Sequence, residues 1–256
     1  MSTLGRFGGW CSIGHPYAVE LMAAAGFDWL CLDLQHGFGT LEDLLPAVHA
    51  AELHSVPLLV RPPLCAPWII GRALDAGCNG VIVPMVNSSE EARAAVSACR
   101  YAPDGTRSWG PSRIMLREQD YRAERANQNV TCIVMVETRR AVEQLEEIAS
   151  VPGINGVFVG PSDMAVDLGV HPGIGSIDGE HALLLSQVVE RAAAAGVQAG
   201  IFGGRADAVR QYREMGFTFV AVATDAGLVG TGARAAIAEL TSNSIGRTPV
   251  SDHPDG

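Results

Sequence analysis

Short runs of apolar and β-branched residues recur along the chain, separated by alanine-rich stretches with the 3.6-residue period of amphipathic helices. Eight such runs predict strands at Phe7–Ile13, Trp29–Leu34, Pro57–Val60, Gly80–Val86, Cys132–Val136, Gly156–Val159, Val197–Phe202 and Phe217–Val222. Helices are predicted between them at Tyr17–Ala25, Leu41–Glu52, Pro67–Ala76, Ser89–Arg100, Arg140–Ser150, Glu180–Ala195 and Arg205–Met215, with a last one at Gly227–Leu240. Ala-Gly pairs at 25–26, 76–77 and 195–196 read as C-cap glycines that stop a helix just before a strand. Strands that alternate with helices pair in parallel through crossovers, and eight such units close into a (β/α)8 TIM barrel. The expected architecture is one α/β domain over residues 1–241. Two segments depart from the alternation. Residues 101–129 form a long polar connection rich in arginine, proline and glycine, the kind of loop that carries function. Residues 242–256 have no apolar period and are expected to be a mobile tail.

Composition supports this picture and removes several classes of function. The 256 residues are 48% hydrophobic and 18% charged, a balance that fills a large core. No apolar run approaches the roughly 18 residues of a membrane span, and the first 30 residues lack a basic segment followed by an apolar one. A cytoplasmic location with no membrane partner is expected. A net charge of −10 would repel a phosphate backbone, which argues against nucleic acid as a partner. The six cysteines, Cys11, Cys31, Cys65, Cys78, Cys99 and Cys132, show no C-x-x-C spacing and mostly sit in apolar runs, as reduced core thiols do. All 18 basic residues are arginine. Without lysine there is no side-chain Schiff base, no ordinary pyridoxal phosphate anchor and no P-loop lysine, so a carbonyl substrate must be activated another way.

In such barrels chemistry stands where strands end. Strand two runs out in Asp33-Leu34-Gln35-His36, strand three in Arg61-Pro62-Pro63, strand five in Glu137-Thr138 and strand six in Gly160-Pro161-Ser162-Asp163. Glu137 and Asp163 close consecutive strands, hence neighbours, and two adjacent carboxylates favour a shared proton or a hard divalent cation with open positions for substrate. They also admit a plainer reading, with Asp163 as a helix N-cap and Glu137 paired to Arg139 or Arg140. Arg61 leaves a rigid strand end, where it either orients an anion or bridges barrel carboxylates. Of seven histidines only His36 ends a predicted strand, where it serves as a base or as a structural hydrogen-bonder; His15, just after strand one, is secondary.

Taken together, these strings resemble the class II pyruvate aldolases of the HpcH/HpaI family over about residues 5–240. The matching motifs are Ala-Gly-Phe-Asp-Trp-Leu-Cys-Leu-Asp-Leu-Gln-His-Gly (25–37), Val-Arg-Pro (60–62), Gly-Val-Ile-Val-Pro-Met-Val (80–86) and Arg-Tyr-Ala-Pro-Asp-Gly-Thr-Arg (100–107). Val-Met-Val-Glu-Thr (134–138) and Val-Pro-Gly-Ile-Asn-Gly-Val-Phe-Val-Gly-Pro-Ser-Asp (151–163) complete the set. The resemblance implies Glu137 and Asp163 as ligands of Mg²⁺, Mn²⁺ or Co²⁺, Arg61 as stabiliser of an enolate, and His36 as proton acceptor. It assigns Asp75 the task of raising the basicity of that histidine, a role for which Asp33 qualifies by its closeness in sequence. The substrate side would include Gly160, Ser162 and Asp163, whose backbone holds a carboxylate, together with Trp10. It further implies a homo-oligomer, commonly a hexamer, with the last helix packed on a neighbouring subunit. Two positions depart from some members: Met135 replaces a glutamine two residues before the metal-binding glutamate, and Gln35 replaces a glutamate before the histidine. Both bear on which acceptor is preferred.

The expected activity is cleavage of a 4-hydroxy-2-oxo acid to pyruvate, or a related 2-oxo acid, and an aldehyde, or the reverse. Oxaloacetate decarboxylation through the same enolate and a lyase for coenzyme A thioesters of the citrate lyase β type are the neighbouring alternatives. A non-catalytic barrel acting as a binding module is the alternative of another class.

Overall fold

A computed structural model describes residues 4–172 and 179–242. Eight parallel strands close into a barrel in the order of the sequence: β1 (Phe7–Cys11), β2 (Trp29–Asp33), β3 (Leu58–Arg61), β4 (Gly80–Val83), β5 (Thr131–Val136), β6 (Gly156–Val159), β7 (Gln198–Phe202) and β8 (Phe219–Thr224). The closure is β8 against β1. Each predicted strand is present, several of them shorter than their apolar run, because the run continues into the loop that leaves the barrel. β4 is one such case: it stops at Val83, and Met85 then adopts a left-handed φ of 57°.

Helices α1 (Pro16–Ala24), α2 (Leu44–Leu53), α3 (Pro67–Ala76) and α4 (Ser89–Cys99) follow the first four strands. The connection after α4, expected to be a long loop, folds into two short helices, α5 (Ser112–Arg117) and α6 (Ala123–Asn129). The predicted helix at Arg140–Ser150 is broken at Gln144 into α7 (Arg139–Glu143) and α8 (Leu145–Ala149). A further helix, α9 (Pro161–Asp167), starts at the end of β6; proline in its first turn spares a backbone donor that would have no acceptor there. The rest are α10 (Gly179–Ala194), α11 (Ala206–Glu214) and α12 (Asp225–Ser242). The tail expected to be mobile lies, apart from Ser242, outside the described residues. No described helix is long and apolar enough to cross a membrane.

Alternation along the strands sorts side chains between the barrel interior and the helical shell. Trp10, Trp29, Cys31, Leu59, Ile82, Ile133, Met135, Phe158, Phe219 and Ala221 form the interior cluster. It is filled by pairing large rings with glycines: a Cβ on Gly8 would lie 2.2 Å from the Trp29 ring, and one on Gly200 2.3 Å from Phe219. The outward residues pack beneath the helices in two further clusters. Five of the six cysteines are buried and Cys65 is partly so; all six are free thiols, as their spacing predicted.

Candidate active site

The inward set continues past the aromatic layer to the strand ends. Counting by twos from Cys31, Leu59, Met135 and Phe158 reaches Asp33, Arg61, Glu137 and Gly160, so one register places the predicted chemistry in the top layer at the mouth. Asp33 and Arg61 are direct cross-strand partners. Arg61 is 8% exposed and grips Asp33 with both arms of its fork, Nε to Oδ1 at 2.9 Å and Nη2 to Oδ2 at 2.7 Å. Trp10 lies under this pair, with the guanidinium carbon 5.1 Å from its ring centroid and its Nε1 donating to Asp33 Oδ2 at 3.2 Å. Burial pushes the Asp33 carboxyl up, but the hydrogen bonds and charge of Arg61, with help from Trp10 and the His36 backbone N–H, outweigh it and hold the pKa below the usual carboxylate value. Asp33 stays ionised, and Arg61 keeps a fixed orientation.

Asp33 also shapes the loop that bears His36. Its Oδ1 accepts the backbone N–H of Gln35 at 3.0 Å and of His36 at 3.2 Å. Asp33 thus meets His36 at the backbone, while the exposed imidazole makes no hydrogen bond within the chain among the described residues. Gln35 Oε1 is buried in this loop, without a hydrogen-bond partner among the described residues.

Glu137, 2% exposed, accepts the backbone N–H of Met85 on Oε2 at 2.7 Å. The left-handed turn at Met85 is what aims that donor inward. Beyond the other oxygen stands Gly160, where an added Cβ would come within 2.8 Å of Oε1, so the glycine keeps room at the free face of the carboxylate. The Glu137 pKa rises from 4.5 to about 7; burial is the main cause, the Met85 N–H and Arg61 pull it down, and the charge of Asp163 adds to the rise. Asp163 is exposed in the first turn of α9, with Ser162 beside it. A buried carboxylate with one open oxygen and a second carboxylate near enough to raise its pKa is a donor set that suits a hard divalent cation, which would relieve both the burial and the repulsion.

That raised pKa sets an expected pH dependence in EDTA-treated protein. The fold binds the Glu137 proton more tightly than the unfolded chain does, so this group's contribution is favourable at low pH. It is lost as pH rises from about 4.5 through about 7, by at most about 3 kcal/mol. Urea unfolding at about pH 5 and pH 7 should show the fall in the wild type and a flatter profile in Glu137→Gln. Equal slopes in the two proteins would show that Glu137 does not titrate in this range.

Other predicted residues lie elsewhere. Asp75 sits in the last turn of α3, which runs from the mouth back to the foot of the barrel, and there it pairs with Arg107 Nη2 at 2.7 Å. The structure therefore brings Asp33, Arg61, Glu137, Gly160 and Trp10 together, with Ser162, Asp163 and His36 at the rim, and leaves Asp75 apart. His15 caps α1, its Nδ1 accepting the Tyr17 N–H at 3.2 Å. Sequence reasoning missed Met85 and also Asp225, the first residue of α12. Asp225 is 4% exposed and fixes the loop after β1 by accepting Ser12 N at 2.8 Å, Ser12 Oγ at 2.7 Å and Ile13 N at 3.1 Å. Its signal was present: Thr224-Asp225 closes the last apolar run as Glu137 closes the fifth.

A closed barrel with a clamped guanidinium and two carboxylates gathered at the C-terminal ends of its strands carries its polar groups where barrel enzymes carry their active sites. The sequence profile of the HpcH/HpaI aldolase/citrate lyase family matches residues 6–231, and the chain belongs to that family. It is similar to a hydroxypyruvate/pyruvate aldolase of Roseovarius nubinhibens, with 38% identity over 237 residues covering 91% of each chain. It is also similar to a 4-hydroxy-2-oxo-heptane-1,7-dioate aldolase of Klebsiella pneumoniae, with 35% identity over 252 residues covering 95% of this chain and 92% of the relative. The crystal structure of a HpcH/HpaI aldolase/citrate lyase family protein from Burkholderia cenocepacia superposes with a TM-score of 0.85 at 33% identity, covering 93% of this chain and 95% of that one.

Proposed function

We infer that the chain is a pyruvate-type aldolase, a carbon–carbon lyase that interconverts a 4-hydroxy-2-oxo acid with pyruvate or a related 2-oxo acid and an aldehyde. The observation that carries this reading is the Arg61–Asp33 clamp and Glu137 in one inward layer, with Asp163 at the rim near enough to act on Glu137. The absence of lysine points the same way, since it removes the imine route to a carbonyl. The relatives named as aldolases favour this activity over a thioester lyase or a non-catalytic barrel. Glu137 and Asp163 would hold a divalent cation, Mg²⁺, Mn²⁺ or Co²⁺. When bound, it supplies Lewis acidity to the keto and carboxylate oxygens of the substrate.

The chain's own groups divide the remaining work. Arg61, fixed by Asp33, presents its guanidinium to the oxygen on which negative charge develops. Trp10 beneath it closes the floor of the site to water. Backbone groups of Gly160, Ser162 and Asp163 orient the substrate carboxylate. In the condensing direction His36 takes the proton from the carbon beside the keto group and a proton ends on the former aldehyde oxygen; in cleavage the 4-hydroxyl gives up its proton and the carbon regains one. Incubating a panel of aldehydes and 2-oxo acids with the protein and each cation, with products followed by mass, should yield 4-hydroxy-2-oxo acids. A panel without any such product would refute the assignment.

Arg61→Lys keeps the charge and loses the planar fork, so turnover should fall by about 10²-fold with a smaller change in KM. Steady-state kinetics decide it: a rise in KM at unchanged kcat would make Arg61 a binding group only.

We also propose a homo-oligomer, with a hexamer as the expected form. Beyond Asp225, α12 buries none of its described side chains, and Leu228, Val229, Ile237 and Leu240 stand exposed on it. Between α1 and α11, where an eighth helix would cover the barrel, a groove of about 620 Å³ is lined by Phe7, Phe27, Val209 and Val222. The helix of a second copy fits the groove that its own chain leaves open. A second copy is also what any role of Asp75 beside His36 requires, since within one chain Asp75 is carried to the foot. Light scattering should give a multiple of 26.9 kDa, and removal of α12 beyond Gly227, which keeps Asp225, should lower it. A monomer at micromolar concentration would rule the oligomer out.

A further inference from the structure

The foot of the barrel, opposite the mouth, usually serves stability rather than chemistry. Here the N-terminal ends of β3, β4 and β5 open onto a cavity of about 420 Å³, within the size range of small-molecule sites. Four guanidinium groups line it, those of Arg107, Arg113, Arg117 and Arg125, against the two lining carboxylates of Glu52 and Glu118. All four come from the 101–129 connection that broke the strand–helix alternation. In a chain with a net charge of −10 and only 18 basic residues, this concentration calls for a function.

The pairing within the cavity leaves donors unused. Arg113 takes both oxygens of Glu52, at 3.1 and 2.6 Å, and Arg117 bonds the same carboxylate, so two cations share one anion. Arg125 has no ion pair among the described residues. Arg107 is 8% exposed, stacks 4.4 Å over the Tyr101 ring and pairs with Asp75, yet its Nε–H has no acceptor among the described residues. A buried cation with an orphaned donor is costly unless a ligand or water completes it. Facing this basic wall are Val56, Leu74, Ile114 and Val130, a surface suited to a short carbon body.

We propose that this cavity binds a small organic dianion, a phosphate ester or a short dicarboxylate, with Arg107, Arg117 and Arg125 as its donors. The guanidinium fork matches the geometry of both head groups, and the apolar wall selects against bare inorganic anions. The site lies at the opposite end of the barrel from the mouth of its own chain and stands whether or not that mouth cleaves carbon–carbon bonds.

The test is calorimetric titration of EDTA-treated protein with glycerol 2-phosphate and with succinate, at ionic strength matched by NaCl. Saturable binding of one ligand per chain is expected, and the tighter of the two identifies the head group. Arg117→Gln with Arg125→Gln removes two side chains from the exposed wall and should weaken binding by at least about tenfold. Arg125→Gln alone, at a residue with no ion pair to lose, should weaken it several-fold. Arg61→Lys at the mouth should leave it unchanged. The proposal is overturned if neither ligand saturates at low-millimolar concentration, if the arginine variants bind as the wild type does, or if Arg61→Lys abolishes binding.

Discussion

Alanine at Glu137 or at Asp163 is expected to remove divalent-cation binding and to lower turnover by on the order of 10³-fold, the loss of several kcal/mol of charge stabilisation. The two variants should differ in stability. Asp163 is exposed on the first turn of α9, its carboxylate makes no hydrogen bond within the chain among the described residues and its charge repels Glu137, so Asp163→Ala should be no less stable than the wild type. Glu137→Ala strands the inward N–H of Met85, which costs about 1–3 kcal/mol. Part of that is offset, because the fold holds the Glu137 carboxylate against its preference, as the pKa of about 7 shows. Elemental analysis after dialysis, beside steady-state rates, separates the effects. Full cation occupancy in both variants would mean that these carboxylates are not the ligands.

Replacing His36 by alanine should slow exchange of pyruvate methyl protons into D₂O by about 10² to 10⁴-fold, the usual contribution of a general base. Imidazole is the side chain suited to carry protons near neutral pH. The loop that bears it is anchored from below by Asp33 through the backbone N–H groups of Gln35 and His36, so the loop should survive loss of the ring. With that anchor intact, pyruvate affinity should change little, and the effect should appear in the exchange rate. Wild-type exchange in His36→Ala would assign the proton to another group. An equal loss of binding and exchange would make His36 a substrate ligand instead.

The barrel was legible because its signal is periodic. Eight apolar runs with helical stretches between them permit few arrangements, and the same alternation that buries Met135 and Phe158 puts Glu137 and Gly160 at the mouth. Asp33, Arg61, Glu137 and Asp163 were readable as polar residues that close such runs. Met85 was not, because its contribution is a backbone N–H aimed by a left-handed φ that methionine rarely adopts. The split of the helix at Gln144 and the two helices within 101–129 were equally hidden, since each is only five to seven residues long and is set by tertiary packing rather than by a local period. The place of Asp75 could not be read from its motif. Spacing shows that it ends a helix, but only the direction of α3 shows that the helix carries it away from His36.

Carbon-acid chemistry at the mouth is tested most directly by proton NMR of pyruvate in D₂O with the protein and Mg²⁺ or Mn²⁺. The methyl signal should decay, EDTA should stop the decay reversibly, and borohydride added with pyruvate should leave the protein mass unchanged because the chain has no lysine to trap it. A methyl signal that persists with every divalent cation, or a covalent pyruvate adduct on the protein, would contradict the assignment.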